Sequence, residues 1–184
     1  MTRSIDLAAA EAMDAADPLR PMRDRFVLPR GVIYLDGNSL GAASPAVFAE
    51  VETAARQEWG EGLIRSWNTA GWFDMPLELG HRIGRLIGAA AGQTVVTDTT
   101  SINIYKALHA AMGLRPGRHV IVAEGGSFPT DLYMAEGVAA TRPGAQLKLE
   151  GVDAPAIEDL IDDTAAVVLI NHVNYKSGEL RDMA

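Results

Sequence analysis

Residues 94–113, TVVTDTTSINIYKALHAAMG, decide how the rest of the chain is read. The β-branched Thr94, Val95, Val96 and Thr97 predict a short buried strand. Asp98, Thr99, Thr100 and Ser101 then lead into a helical run with Ile104, Leu108 and Met112 on its apolar side. Small oxygen-bearing side chains thus stand where the carboxyl end of a strand meets the amino end of a helix. Unpaired N–H groups and the positive end of the helix dipole converge at such a junction, which suits a phosphate. Asp98 or Thr99 would also serve as an ordinary helix cap. Three hydroxyls in succession exceed what a cap requires.

Downstream the alternation is regular. Residues 119–123 (HVIVA) predict a strand, 125–130 a loop and 131–140 a helix. Residues 145–150 predict a strand, 154–162 a helix, and 165–172 (AAVVLINH) a continuous apolar strand. Near-continuous apolar strands separated by helices specify the α/β class, a mainly parallel sheet with helices on both faces. Right-handed crossovers put every strand-to-helix loop on one edge of such a sheet, where ligands bind. Residues 99–101, 127–131 and 171–175 are therefore expected to converge. The loop GGSFPTD at 125–131 offers a ring at Phe128, stiffened by Pro129, beside Thr130 and Asp131, which would equally cap the next helix.

Upstream, Ser4 is placed to cap a first helix with Ile5, Ala8, Ala12 and Ala15 on one side and Pro18 just past its end. Val32, Ile33, Tyr34 and Leu35 read as a short strand entering the turn DGNSLG. Pro45 opens a long helix through Val51, Ala54 and Trp59, ended by Gly60 and Gly62. The segment SWNTAGWFD at 66–74 reads as an aromatic-rich loop. Pro76 starts a further helix that stops near Gly92.

Composition narrows the function. With 16 basic against 24 acidic residues the net charge is −8, which disfavours nucleic acid as a partner. There is no cysteine, so disulfides, thiolate metal sites and a cysteine nucleophile are excluded. No run has the length of a membrane span and the amino terminus lacks an apolar leader, so a cytoplasmic location is expected. No spacing of His and carboxylates suggests a metal site, and no Walker, dinucleotide-binding or nucleophile-elbow motif is present. His172, at a strand end, reads more readily as a structural residue than as a catalyst.

Four motifs occur in order: YLDGNSLG at 34–41, DTTS at 98–101, FPTD at 128–131 and HVNYKSG at 172–178. Together with DPLRPMRDRFVLPRGVIYLDGNSLG at 17–41 they resemble kynureninase of the bacterial kind. That is a pyridoxal-phosphate family of the aspartate-aminotransferase fold, or fold type I. The resemblance implies that Thr99 and Thr100 hold the phosphate of pyridoxal 5'-phosphate. It implies that Phe128 stacks on the pyridine ring, with Pro129, Thr130 and Asp131 completing that wall. Asn171 stands where the family usually has Ser or Thr against the cofactor. Ser39 and Trp67 match positions lining the substrate pocket.

The implied reaction is hydrolysis of L-kynurenine, or its 3-hydroxy form, to anthranilate (or 3-hydroxyanthranilate) and L-alanine by a homodimer. The family's Schiff-base lysine matches none of Lys106, Lys148 and Lys176, so no catalytic residue is assigned. The 184 residues are expected to be an incomplete front part, inactive alone. In this division residues 1–74 form an amino-terminal arm with part of a small domain, and 75–184 begin the large cofactor-binding domain. Two alternatives stand beside this: another fold-type-I enzyme, such as an aminotransferase or cysteine desulfurase, and a non-catalytic chain that binds a partner subunit.

Overall fold

The computed structural model describes residues 6–151 and 155–183. The chain forms two compact units, Met1–Gly92 and Gln93–Ala184. In the second unit, α5 (Thr100–Leu114) leads into β1 (Val120–Glu124), α6 (Pro129–Ala140), β2 (Gln146–Glu150) and β3 (Ala165–Leu169). The strands make a parallel sheet in the order β2-β1-β3, with Val120 level with Gln146 and Glu124 level with Glu150. The α/β parallel-sheet class expected from the sequence is the one found.

Burial explains why β1 is central. All five of its residues, VIVAE, are buried. Alternation sends Ile121 to one face, against Leu108 and Met112 of α5 and Ala135 and Val138 of α6. Val120 and Val122 face the other way, against Ile157 and Ala165. Each such aliphatic side chain contributes about 1.5–3 kcal/mol by leaving water. α5 and α6 thus share one face, and among the described residues the other is covered by a 3-10 turn, Ile157–Leu160. That turn stands where a helix over 154–162 was expected (Ala154 lies outside the described residues). Beyond it the chain turns at Asp162, whose Oδ1 accepts from the Thr164 N–H at 2.8 Å.

Two further strands do not form. Residues 94–97 carry no ladder, and Thr97 instead gives its carbonyl to Asn103 Nδ2 at 2.8 Å. Residues 32–35 form no ladder either, with Ile33 85% exposed. β-branched residues favour a strand only where a neighbouring strand receives their N–H and C=O groups.

The first unit is helical: α1 (Leu7–Ala16), α2 (Pro45–Thr53), α3 (Ser66–Thr69) and α4 (Met75–Ile87), with short 3-10 segments between. Ser4 and Ile5 lie outside the described residues. The cap of α1 is Asp6, which accepts from the Ala9 N–H at 2.8 Å. α2 runs on into a π-helical stretch, Ala54–Gly62, so the long helix predicted from Pro45 is continuous but wider at its end. The aromatic segment at 66–74 begins as the short helix α3 rather than a loop. α4 ends at Ile87, earlier than Gly92, because Gly88 adopts φ 73° and closes the helix left-handed. No helix among the described residues is long and apolar enough to cross a membrane.

Candidate functional site

The site is built at the carboxyl edge of the sheet in the second unit. α6 leaves that edge directly after β1, starting at Pro129. α5 is connected to the opposite end of β1, six positions after Leu114, so its amino terminus points back to the carboxyl edge. Arg142, just past the end of α6, reaches the second half of α5 through Nη2 to the His109 carbonyl at 2.9 Å. The two helices therefore run side by side in one direction, and both positive ends meet the same edge. Residues 99–101 and 128–131 consequently stand at the starts of two helices on one face of the sheet.

Thr99 caps α5, its Oγ1 accepting from the Ile102 N–H at 3.4 Å. Thr100 and Ser101 occupy the first turn, where backbone N–H groups have no carbonyl within the helix. Asp98, immediately before the cap, takes a left-handed φ of 39°, which short polar side chains tolerate. Lys106 hydrogen-bonds its carboxylate and Thr97 adds a second hydrogen bond, together holding Asp98 below the usual carboxylate range.

The loops after β1 and β3 are tied to each other. Asn171 Nδ2 donates to Ser127 Oγ at 3.0 Å, and Asn174 Nδ2 donates to the Gly126 carbonyl at 3.3 Å. Phe128 and Tyr175 meet edge to face with ring centres 4.9 Å apart. Phe128 nonetheless stays 47% exposed. Gly125 is required where it stands, because a Cβ there would run into the Glu150 carbonyl oxygen. Among the described residues no hydrogen bond or ring contact joins Thr99 or Thr100 to the Phe128 loop.

Asp131 is only 7% exposed and makes no side-chain hydrogen bond or ion pair among the described residues. Burial pushes its carboxyl pKa up. Ser39 and Trp67 belong to the first unit. Ser39 Oγ donates to Asp36 Oδ1 at 2.7 Å, and Trp67 contacts Trp72 edge-on at 6.4 Å between ring centres. Lys106 is paired with Asp98 and Lys148 with Asp162.

Sequence reasoning missed Glu124, Glu150 and Arg181. Arg181 donates from Nε to Glu124 Oε1 at 2.6 Å and from Nη2 to Glu150 Oε2 at 3.1 Å. Residues 172–181 double back, with Val173 bridged to Leu180 and Gly178 at φ 72°, and so return Arg181 to the sheet edge. One signal was available: VIVAE and QLKLE both end in Glu, and parallel register makes those ends neighbours that need a shared cation. A cleft of about 570 Å³ opens here, walled by Glu124, Gly126, Glu150, Asn171, Asn174 and Arg181. Phe128 and the start of α5 are outside its wall.

In parallel α/β sheets the edge that gathers helix amino termini and strand-end loops is where small ligands bind. The relatives of this chain are more particular. Over 178 residues the chain is 53% identical to the kynureninase of Pseudomonas fluorescens, covering 94% of this chain and 42% of that protein. It is 51% identical over 179 residues to the kynureninases of Burkholderia pseudomallei (strain 1106a) and Burkholderia mallei (strain SAVP1), covering 95% of this chain and 43% of each. No protein-family model matches. The likeness to kynureninase thus extends along nearly the whole chain, which spans about two fifths of the length of the curated relatives it matches.

Proposed function

We propose that these residues form the phosphate and ring side of the cofactor site of a kynureninase. That enzyme hydrolyses L-kynurenine, or 3-hydroxykynurenine, to anthranilate (or 3-hydroxyanthranilate) and L-alanine in tryptophan catabolism. The proposal includes a cytoplasmic homodimer, with residues 1–74 as an arm and part of a small domain and 75–184 as the first part of the cofactor domain. One observation carries it: the loops after β1 and β3 are tied to each other at the carboxyl edge of the sheet, with α5 and α6 on one face, in a chain about half identical to kynureninases.

The residues fit pyridoxal 5'-phosphate. The first turn of α5 offers the N–H groups of Thr100 and Ser101 together with the hydroxyls of Thr99 and Thr100, a donor set suited to a phosphate. Phe128 presents an exposed ring that Tyr175 steadies and Pro129 stiffens. Thr130 lies beside it, and the buried Asp131 completes that wall. Asn171 would contact the cofactor through its amide. When bound, the cofactor supplies an electron sink for cleavage of the β–γ carbon bond. Ser39 and Trp67 would line the kynurenine pocket.

The test is titration of the purified chain with pyridoxal 5'-phosphate, followed by absorbance and circular dichroism. Saturable binding that weakens about tenfold in Thr100→Ala and in Phe128→Ala supports the site. Binding unaffected by both substitutions overturns it. The 184 residues alone are expected not to release anthranilate from kynurenine, since covalent capture of the cofactor is assigned to none of Lys106, Lys148 and Lys176. Turnover by this chain would refute that assignment.

A further inference from the structure

Glu124 ends the central strand, is 9% exposed, and makes no hydrogen bond to Thr99, Thr100 or Phe128 among the described residues. Its Oε1 takes the Arg181 guanidinium at 2.6 Å. Its Oε2 accepts from the Asn171 backbone N–H at 2.9 Å and from Asn171 Nδ2 at 3.4 Å. The same Nδ2 donates to Ser127 Oγ at 3.0 Å. An ionised carboxylate accepts and never donates. It therefore forces the Asn171 amide to turn its NH2 inward, and both of those N–H bonds are used. The amide oxygen is left without a hydrogen bond among the described residues, and Asn171 lines the cleft.

We propose that Glu124 is a positioning residue: it fixes the Asn171 amide so that the site presents a hydrogen-bond acceptor, not a donor, to its ligand. This rests on the reading of Asn171 as a cofactor contact and sharpens it. The matching ligand group is a donor, such as the protonated ring nitrogen of a pyridoxal. Arg181 supports the arrangement from the other side. It occupies Oε1 and leaves Oε2 for Asn171, while its second bond to Glu150 keeps the guanidinium in place.

The substitution Glu124→Gln reverses the logic. The Arg181 donors claim the amide oxygen of the introduced side chain, so its NH2 faces Asn171, donor against donor, and the Asn171 amide turns over. Exchanging the two groups, with Glu124→Gln and Asn171→Asp together, restores a donor–acceptor pair between the side chains and an outward acceptor, while the backbone N–H of residue 171 lacks its acceptor as in the single variant. It also conserves net charge.

The experiment compares wild type, Glu124→Gln, Asn171→Ala, Ser127→Ala and the double exchange in the full chain. One readout is the solvent exchange of the Asn171 side-chain amide by 15N NMR without any cofactor. The other is titration with pyridoxal 5'-phosphate. Glu124→Gln is expected to speed the amide exchange and to weaken binding about tenfold. The double exchange is expected to bind more tightly than Glu124→Gln alone, and Ser127→Ala to stay within about threefold of wild type.

An unchanged amide and affinity in Glu124→Gln overturn the inference. So does failure of the double exchange to bind more tightly than Glu124→Gln, which would mark Glu124 as a purely structural partner of Arg181. If Glu124→Gln does not fold, the double exchange and Ser127→Ala decide: a Ser127→Ala loss as large as that of Asn171→Ala overturns the proposal. Faster amide exchange in Glu124→Gln with binding unaffected in Asn171→Ala removes Asn171 from the cofactor, and the positioning role falls with it. A binding loss in Asn171→Ala without one in Glu124→Gln sinks only the present inference.

Discussion

The two units bury very different amounts of themselves. In the second, β1 is wholly buried and its neighbours fill both faces of the sheet. In the first, only Ser66, Gly80 and Gly84 are buried among the described residues. Leu86, Ile64 and Leu35 are 86%, 78% and 87% exposed there. A sheet closes its own core, because each strand's two faces find helices or turns from adjacent chain. Helices such as α4 keep much of their apolar side exposed, Leu86 and Ile87 above all. Secondary structure alone therefore does not make a core.

The largest expected effect tests that contrast directly. Ile121→Ala should cost about 3 kcal/mol in urea unfolding, since a fully enclosed side chain leaves a cavity. Ile64→Ala should change stability by less than about 0.5 kcal/mol. Equal losses at both positions would break the distinction.

Next, Gly125→Ala should cost about 2 kcal/mol, because its Cβ would push against the Glu150 carbonyl where β1 leaves the sheet. Thermal melting of that variant measures it. Ser66→Ala, which removes the hydroxyl donating to the Glu58 carbonyl at 2.6 Å, should cost about 1 kcal/mol in the first unit. All the tryptophans lie in that unit, so their fluorescence follows it selectively. Its transition should fall at lower urea than the circular dichroism transition of the whole chain.

The smallest effect concerns Asp131. Burial raises its folded pKa above the ordinary 3.8, so the fold prefers the protonated form. Its stabilising contribution is complete below the unfolded pKa. It is lost as pH rises from there through the raised folded value. Melting temperature against pH should therefore fall across that window in wild type and less so in Asp131→Asn. At neutral pH the asparagine variant should be the more stable of the two. The same curves in both proteins would show that the carboxylate is not desolvated.

Much of the second unit was legible in the sequence. The apolar spacing of Ile104, Leu108 and Met112 put the right side of α5 inward, and HVIVA and AAVVLINH announced parallel strands, of which β1 is wholly and β3 partly buried. The capping chemistry of Thr99 was legible too. The same β-branched signal failed at 94–97 and 32–35, where no partner strand receives the backbone. Cap and helix are local, settled by bonds within a few residues, whereas a strand needs an edge supplied from elsewhere.

The sequence by itself determined the class of fold, the amino-terminal chemistry of α5 and the likeness to kynureninase, since each rests on local pattern or residue order. Only the tertiary structure decided that Glu124 meets Arg181 across 57 positions and fixes the Asn171 amide. Such contacts depend on strand register and on the hairpin at 172–181 doubling back. No spacing along the chain encodes where two distant side chains will point.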